Sequence, residues 1–253
     1  MPKALDAAAA LADWRQWPLA LTAPPTPLGV IPGGRTNRNI KIAAPGLPEP
    51  VILRLNNCRS SDLGIDRAAE ASILRCAANA GIAPKPLYQD PQHRFTLLPF
   101  IHARTWQSED FTNPRQRQRL LPLLHRVRQL TPNTPRRCYY AYLAHYMGQL
   151  KAAGAVSEGL AHAWRGFSVR LKAFDNDSWP AQLTHHDLIP DNILDTGDRL
   201  YLIDWEYAAL GHADIDLWCL DPALVKEPFI PELAQWTNDL WERLIAQQPP
   251  TAQ

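Results

Sequence analysis

The sequence has almost no excess charge: 26 Lys and Arg against 25 Asp and Glu leave a formal +1 over 253 residues. Nucleic-acid and anionic-membrane partners usually require a basic excess, so neither is expected, and the expected partner is a small molecule. Cysteine is scarce, and Cys58, Cys76, Cys138 and Cys219 lack the paired spacing of a zinc site or a thioredoxin-like motif. No run approaches the ~18 apolar residues of a membrane span. The start, Met1-Pro2-Lys3-Ala4-Leu5-Asp6, has no charged-then-apolar signal region. These absences predict a reduced, cytoplasmic setting; the oligomeric state is left open. There is no internal repeat. Proline is the one residue in surplus, 24 in all, but it falls at breaks such as Pro24-Pro25, Pro48 with Pro50, Pro132 with Pro135, and Pro249-Pro250, and so punctuates a globular chain.

What is present gathers between Gln182 and Leu220. The run Leu183-Thr184-His185-His186-Asp187-Leu188-Ile189-Pro190-Asp191-Asn192-Ile193-Leu194 leads through the turn Asp195-Thr196-Gly197-Asp198 into Leu200-Tyr201-Leu202-Ile203, which ends in Asp204-Trp205-Glu206. Two short β-type runs around an Asp/Gly turn predict an antiparallel hairpin, in which Asn192 and Asp204 meet at one mouth. Asp187 lies on the loop just before it. Oxygen ligands held this way suit Mg²⁺, which takes one or two carboxylates and fills its shell with water and phosphate oxygens. A surface hairpin with polar ends is the plain alternative for any one of these residues, but their joint order is that of a kinase catalytic loop and its metal-binding Asp.

The same order, with Leu202-Ile203-Asp204-Trp205-Glu206-Tyr207-Ala208, resembles the aminoglycoside phosphotransferase and choline kinase superfamily, most closely its choline, ethanolamine and thiamine kinase branch. The resemblance implies Asp187 as catalytic base, Asn192 and Asp204 as Mg²⁺ ligands, ATP as phosphoryl donor, and Asp216 with His185 as braces of the catalytic loop. It also implies an α+β, protein-kinase-like fold of two lobes: residues 1–101 binding nucleotide through a β-sheet, and residues 102–253, mainly helical, holding the catalytic residues and the acceptor. One departure stands out. The family often has Gly where this chain has His186, and His takes positive φ less readily than Gly.

Upstream, Leu28-Gly29-Val30-Ile31-Pro32-Gly33-Gly34-Arg35-Thr36-Asn37-Arg38-Asn39-Ile40 predicts a second hairpin. It lacks the Gly-X-Gly-X-X-Gly of protein kinases and could be an ordinary turn, yet it resembles the branch's nucleotide loop, which implies Gly33, Gly34, Thr36 and Asn37 beside the phosphates. In Val51-Ile52-Leu53-Arg54-Leu55 a single cation interrupts an apolar strand, at the position that contacts phosphates and pairs with a helix Glu in kinases. The helix expected over Ile65 to Ala80 supplies Glu70. The alternatives are a solvent-facing Arg54, and a Glu70 paired with Arg67 or Arg75 on the helix surface. The run Phe95 to Ile101 sits where the superfamily has its interlobe hinge, so the amides of Phe100 and Ile101 are candidate adenine donors, Pro99 having none.

Helical patterns are expected over Leu5–Trp17, Arg115–Leu130, Tyr139–Ala161, Ala163–Asp175 and Leu233–Ile245. Trp205, Glu206, Tyr207 and Trp218 are candidate acceptor-binding residues. They and Trp236 and Trp241 read either as core or as an aromatic cage for a cationic alcohol, choline-like or thiamine-like. An amino sugar or aminoglycoside is the other acceptor class. Two rivals are a non-catalytic pseudokinase and a metal phosphohydrolase built on His185-His186-Asp187.

Overall fold

Alternating burial gives the N-terminal strands their two faces. The computed structural model describes residues 5–247, leaving Pro249-Pro250 outside, and begins with α1 (Ala7–Ala12). The helix expected to reach Trp17 stops short of it, and a 3₁₀ turn over Trp14–Gln16 follows. Trp17 precedes Pro18 and is extended (φ −74°, ψ 134°), because the proline ring crowds the preceding residue out of the helical region.

Strands β1 (Thr26–Ile31), β2 (Arg38–Ala43) and β3 (Val51–Leu55) follow, then α2 (Arg67–Asn79), β4 (Tyr88–Gln89) and β5 (Phe95–Pro99). The strands form one antiparallel sheet in the order β1-β2-β3-β5-β4. Ile40, Ile42, Val51, Leu53, Leu55, Phe95 and Leu97 fill its inner face with Ala10 and Trp17. Helix α2 starts two residues later than expected because Asp66 is its cap, accepting from the amides of Ala68 and Ala69. Gly81, at φ 69°, ends the turn that closes it.

Beyond the sheet come β6 (Arg104–Thr105), α3 (Ser108–Thr112), α4 (Pro114–Arg128), α5 (Tyr139–Ala152) and α6 (Glu158–Asn176). The pattern expected to run from Tyr139 to Ala161 is broken earlier: Gly154 takes φ 69° after α5, and the Ser157 side chain caps α6 by accepting from the Leu160 amide. Then come β7 (Gln182–Thr184), β8 (Ile193–Asp195), β9 (Leu200–Leu202), β10 (Ala209–Gly211), α7 (Asp214–Leu220) and α8 (Ile230–Ala246). β8 and β9 are the expected hairpin, with Ile193 opposite Leu202, and β6 extends it by pairing with β8.

The fold is therefore α+β, an antiparallel sheet followed by a mainly helical part. We propose the division of the chain at residues 101 and 102, where it leaves β5 for β6. The cores do not respect that division: Ile73, Leu74 and Ala77 of α2 share one cluster with Trp106, Leu124, Leu183 and Leu202. A second cluster joins α5, α6 and α8, where Trp236 stacks on Phe167 at 4.7 Å. Trp236 is thus core, not cage.

Candidate active site

The loop after β7 is fixed from below by one carboxylate. Asp216, buried on α7, accepts the His185 amide at 2.9 Å and the His186 amide at 3.0 Å, one on each oxygen. His185 turns inward, donates through Nε2 to the Ile203 carbonyl at 3.0 Å, and lies against Trp205. Its ring therefore ties the loop to the end of β9.

His186 does adopt the left-handed backbone expected of glycine, φ 63°. Its imidazole is held at both nitrogens: Nδ1 donates to the Thr184 carbonyl at 3.1 Å, and Nε2 accepts from the Tyr139 hydroxyl at 3.0 Å. The same Tyr139 oxygen accepts the His212 amide at 2.9 Å. Burial, and after it the charge of Arg137, holds His186 well below its ordinary pKa, so the ring is neutral, as one donor and one acceptor require. The ring fits because position 211 is glycine. A Cβ there would lie 2.5 Å from the Tyr139 oxygen and 2.6 Å from the His186 ring. Gly211→Ala should therefore destabilise the protein by ~1–3 kcal/mol, the usual cost of overpacking. Thermal melts should show the loss, and His186→Gly in the same chain should restore only the part due to the ring, since the contact with the Tyr139 hydroxyl remains.

Asp187 follows, and Asn192 Nδ2 donates to both its carbonyl and its Oδ2, each at 2.9 Å. Burial pushes the Asp187 carboxyl up to about 6 against that hydrogen bond, and the charge of Glu206 adds to the rise. The hairpin register carries Asn192 to the mouth, where the Ile203 amide donates to its carbonyl at 3.0 Å. Asp204 comes next, with φ 61°. Asp187, Asn192 and Asp204 line one cavity of about 450 Å³, together with Gly33, Gly34, Arg35 and Thr36 of the β1–β2 loop.

Arg54 of β3 does not itself line this cavity but pairs with two carboxylates that do, Asp204 and Glu206. It is 6% exposed, which excludes a solvent-facing side chain. Its guanidinium pairs with Glu70, with Asp204 Oδ1 at 2.5 Å and with Glu206 at 3.3 Å. Glu70 also takes Arg67 at 2.7 Å on its other oxygen, so the helix-surface pair and the pair with Arg54 exist together. Burial and then the neighbouring carboxylates Glu70 and Asp187 push Asp204 above its ordinary pKa, opposed by Arg54.

Glu206 lines the cavity, but its carboxylate is already engaged within the protein: it accepts from Thr36 Oγ1 (2.5 Å), Asn37 Nδ2 (2.7 Å), Arg54 (3.3 Å) and Arg67 (3.0 Å). It thus joins the β1–β2 loop to α2, β3 and the end of the catalytic hairpin. The same bonds hold the Thr36 and Asn37 side chains inward, while Gly33 and Gly34 line the cavity. Gly34 is required there, since a Cβ would lie 2.3 Å from the Asn37 carbonyl.

Two more expectations change. The Phe100 amide donates to the Pro50 carbonyl at 3.2 Å, continuing the sheet, so it is not free to donate elsewhere, and neither Phe100 nor Ile101 lines the cavity. Trp205 is 1% exposed and donates through Nε1 to the Leu202 carbonyl at 3.0 Å, so it belongs to the core. Tyr207 and Trp218 do line the cavity, joined by Tyr142, Tyr146 and Trp241. Trp241 Nε1 donates to the Tyr207 hydroxyl at 2.7 Å.

Sequence reasoning missed a link between the β1–β2 loop and α8, made by two residues that line the cavity. Arg35 forms two hydrogen bonds to Glu242 of α8, at 2.7 and 2.9 Å, and lies 4.5 Å from the Trp241 ring centroid. Both partners are more than half exposed, so the pair contributes at most ~1 kcal/mol to stability. Arg35→Ala should leave the melting temperature within a few degrees of wild type while increasing protease cleavage in the β1–β2 loop.

The donor set fits a hard cation. Asn192 Oδ1 and Asp204 Oδ2 have no hydrogen-bond partner among the described residues, and both belong to side chains that line the cavity. The His186 nitrogens, by contrast, are both engaged, and the His185 ring is fully buried and outside the cavity lining, so neither ring is placed as a His-Asp phosphohydrolase's metal ligand would be.

Comparison with known proteins bears on the chemistry. The profile of a family described as "Phosphotransferase enzyme family" matches residues 28–250. Among solved structures, a choline/ethanolamine kinase family protein from Mesorhizobium loti is 25% identical, with a TM-score of 0.61 over 94% of this chain and 74% of that one. The choline kinase LicA from Streptococcus pneumoniae is 20% identical, with a TM-score of 0.69 over 87% of this chain and 86% of its own. A macrolide 2'-phosphotransferase from Brachybacterium faecium is 17% identical, with a TM-score of 0.53 over 95% and 87%. A search of curated proteins gave no match.

Proposed function

Because this chain belongs to the phosphotransferase enzyme family, we propose that it transfers the γ-phosphoryl group of ATP to a hydroxyl of a small alcohol. The observation that carries the reading is the meeting of Asp187, Asn192 and Asp204 in one cavity, with two hard oxygens left without partners. Asn192 Oδ1 and Asp204 Oδ2 would hold Mg²⁺, which supplies charge neutralisation at the phosphates. Gly33 and Gly34 give the phosphates a close backbone approach. Arg54, oriented by Glu70, Asp204 and Glu206, places a fixed positive charge behind them. The acceptor hydroxyl gives its proton to Asp187 as the new P–O bond forms and ADP leaves. Rate enhancement on this scheme is positioning plus charge stabilisation. A LicA structure contains AMP, which supports adenine as the base.

The acceptor lies on the far side of Asp187. Tyr207 and Trp218 in that wall support an alcohol with one cationic centre, choline-like or thiamine-like, since ring faces attract such a charge by about 0.5 to 2 kcal/mol each. The macrolide 2'-phosphotransferase among the neighbours keeps an aminoglycoside or amino sugar as the second reading. Coupled ADP release across choline, thiamine, ethanolamine, kanamycin and an N-acetylated amino sugar tests both: highest kcat/KM for an uncharged sugar refutes the cationic acceptor, and no ADP release with any acceptor, together with no ATP·Mg binding, refutes the kinase.

The buried ion network gives a separate check on the nucleotide side. Arg54→Ala should raise the KM for ATP and lower the melting temperature, because removing one member of a buried charge cluster typically costs ~3–5 kcal/mol. Glu70→Ala should raise KM less, as Asp204 and Glu206 still orient the guanidinium. Unchanged ATP kinetics in both variants would take Arg54 out of the nucleotide site.

A further inference from the structure

The acceptor side of the cavity contains a cation that nothing among the described residues neutralises. Arg137 lies just before α5 and lines the same cavity as Asp187, Trp218 and Trp241. Its backbone is pinned, with its amide donating to the Leu210 carbonyl at 2.8 Å. The neighbouring Arg136 is anchored too, 3.6 Å from the Trp179 ring centroid and bonded to the Asp175 carbonyl at 3.1 Å. The Arg137 guanidinium lies 4.4 Å from the Tyr142 ring centroid, and among the described residues it makes no hydrogen bond and no ion pair. The other cations at this site are all matched: Arg35 by Glu242, Arg54 and Arg67 by Glu70 and Glu206. Arg137 is half-buried, and its charge reaches inward far enough to pull down the pKa values of Tyr139, Tyr142 and His186, which burial otherwise dominates.

A planar fork of five N–H donors, partly desolvated and lacking a carboxylate, is matched to a carboxylate or phosphate of a ligand, which it can bind through two parallel hydrogen bonds. The rings point the same way. One Tyr142 face is covered by Arg137 and one Trp241 face by Arg35, so two of the surfaces that a cationic acceptor would use already carry the protein's own cations.

We infer that Arg137 determines specificity by binding an anionic group on the acceptor, so that the substrate is an alcohol bearing a carboxylate or phosphate, with any cationic centre directed to Trp218 and Tyr207. The inference rests on the kinase reading and narrows it. The test uses matched acceptors that differ by the anion. Serine is ethanolamine plus a carboxylate, carnitine compares with choline in the same sense, and glycerol 3-phosphate against glycerol gives the phosphate arm. Coupled ADP release is measured for wild type and Arg137→Gln, with calorimetric titration of ATP·Mg on the same preparations. The expected result is at least a tenfold higher kcat/KM for the anion-bearing member of one or more pairs. In Arg137→Gln that preference should vanish through a raised KM, with kcat and the rates for the anion-free partners little changed. The same preference in Arg137→Gln, preference for the anion-free members, or no turnover of any anion-bearing alcohol would each overturn the assignment. Intact ATP·Mg binding in those cases leaves the kinase reading standing, whereas absent ATP·Mg binding defeats both.

Discussion

Asp187→Asn should lower turnover by at least ~100-fold while leaving ATP·Mg affinity nearly unchanged, the scale on which general-base and positioning effects act. The carboxyl does not itself reach for the nucleotide: its Oδ2 is taken by Asn192, and Asn192 and Asp204 offer the open oxygens. Its pKa of about 6 gives the pH dependence a sign. The base must be ionised, so kcat/KM for the wild type should fall about tenfold per unit as pH drops below about 6, and this limb should be missing from the variant's residual activity. Stability moves oppositely. A carboxyl raised from its ordinary 3.8 holds its proton more tightly in the folded chain, so its contribution to stability is full below about 4 and lost as pH rises through about 6. Asn at 187 carries no such penalty, and the variant should melt no lower than wild type at pH 7. Full turnover in Asp187→Asn would require another base.

Asp204→Ala should abolish Mg²⁺-dependent nucleotide binding. The reason is the division of labour between its two oxygens: Oδ1 is held by Arg54 at 2.5 Å, and Oδ2, without a partner among the described residues, is the one proposed for the cation. The Asp204 side chain is 30% exposed, against 6% and 2% for Glu70 and Glu206; Glu206 also lines the cavity, but Asp204 is the most open of the three carboxylates around Arg54. Removing it keeps two partners for Arg54, which is why the chain should still fold. Calorimetry with ATP·Mg is the direct measurement, and wild-type affinity in the variant would move Asp204 out of the metal site. Asp204→Asn should retain the fold with weaker binding, separating loss of charge from loss of the ligand.

The local part of this architecture was legible in the sequence and the long-range part was not. The hairpin from Asn192 to Asp204 follows from strand patterning and an Asp/Gly turn, interactions between near neighbours along the chain. The network around Glu206 was not legible because its partners Thr36 and Asn37 lie 170 and 169 positions away, and no local period encodes such a pairing. Trp205 was misassigned for a geometric reason. The left-handed backbone at Asp204 and the 3₁₀ turn over Trp205–Tyr207 reset the side-chain directions, so the alternation of β9 does not continue past Ile203. On α5, helical spacing marks Tyr142 and Tyr146 as one face, yet a face that lines a cavity has the same pattern as one that fills a core. The break at Gly154 was a matter of weighing a glycine against a run of helix formers, and the Ser157 cap decides it.

The tight fit of the His186 ring over Gly211 also constrains how the chain can have diverged. Starting from a relative with glycine at position 186, histidine is admissible only on a background where position 211 is already bare, and once the ring is seated the bare position cannot be refilled. The two sites thus form a ratchet, with Tyr139 as its pawl, since its hydroxyl gives the imidazole a partner. Among homologues, side chains larger than glycine at the 211 position should occur only alongside glycine at the 186 position, and a single lineage carrying histidine with a bulky neighbour would break the rule.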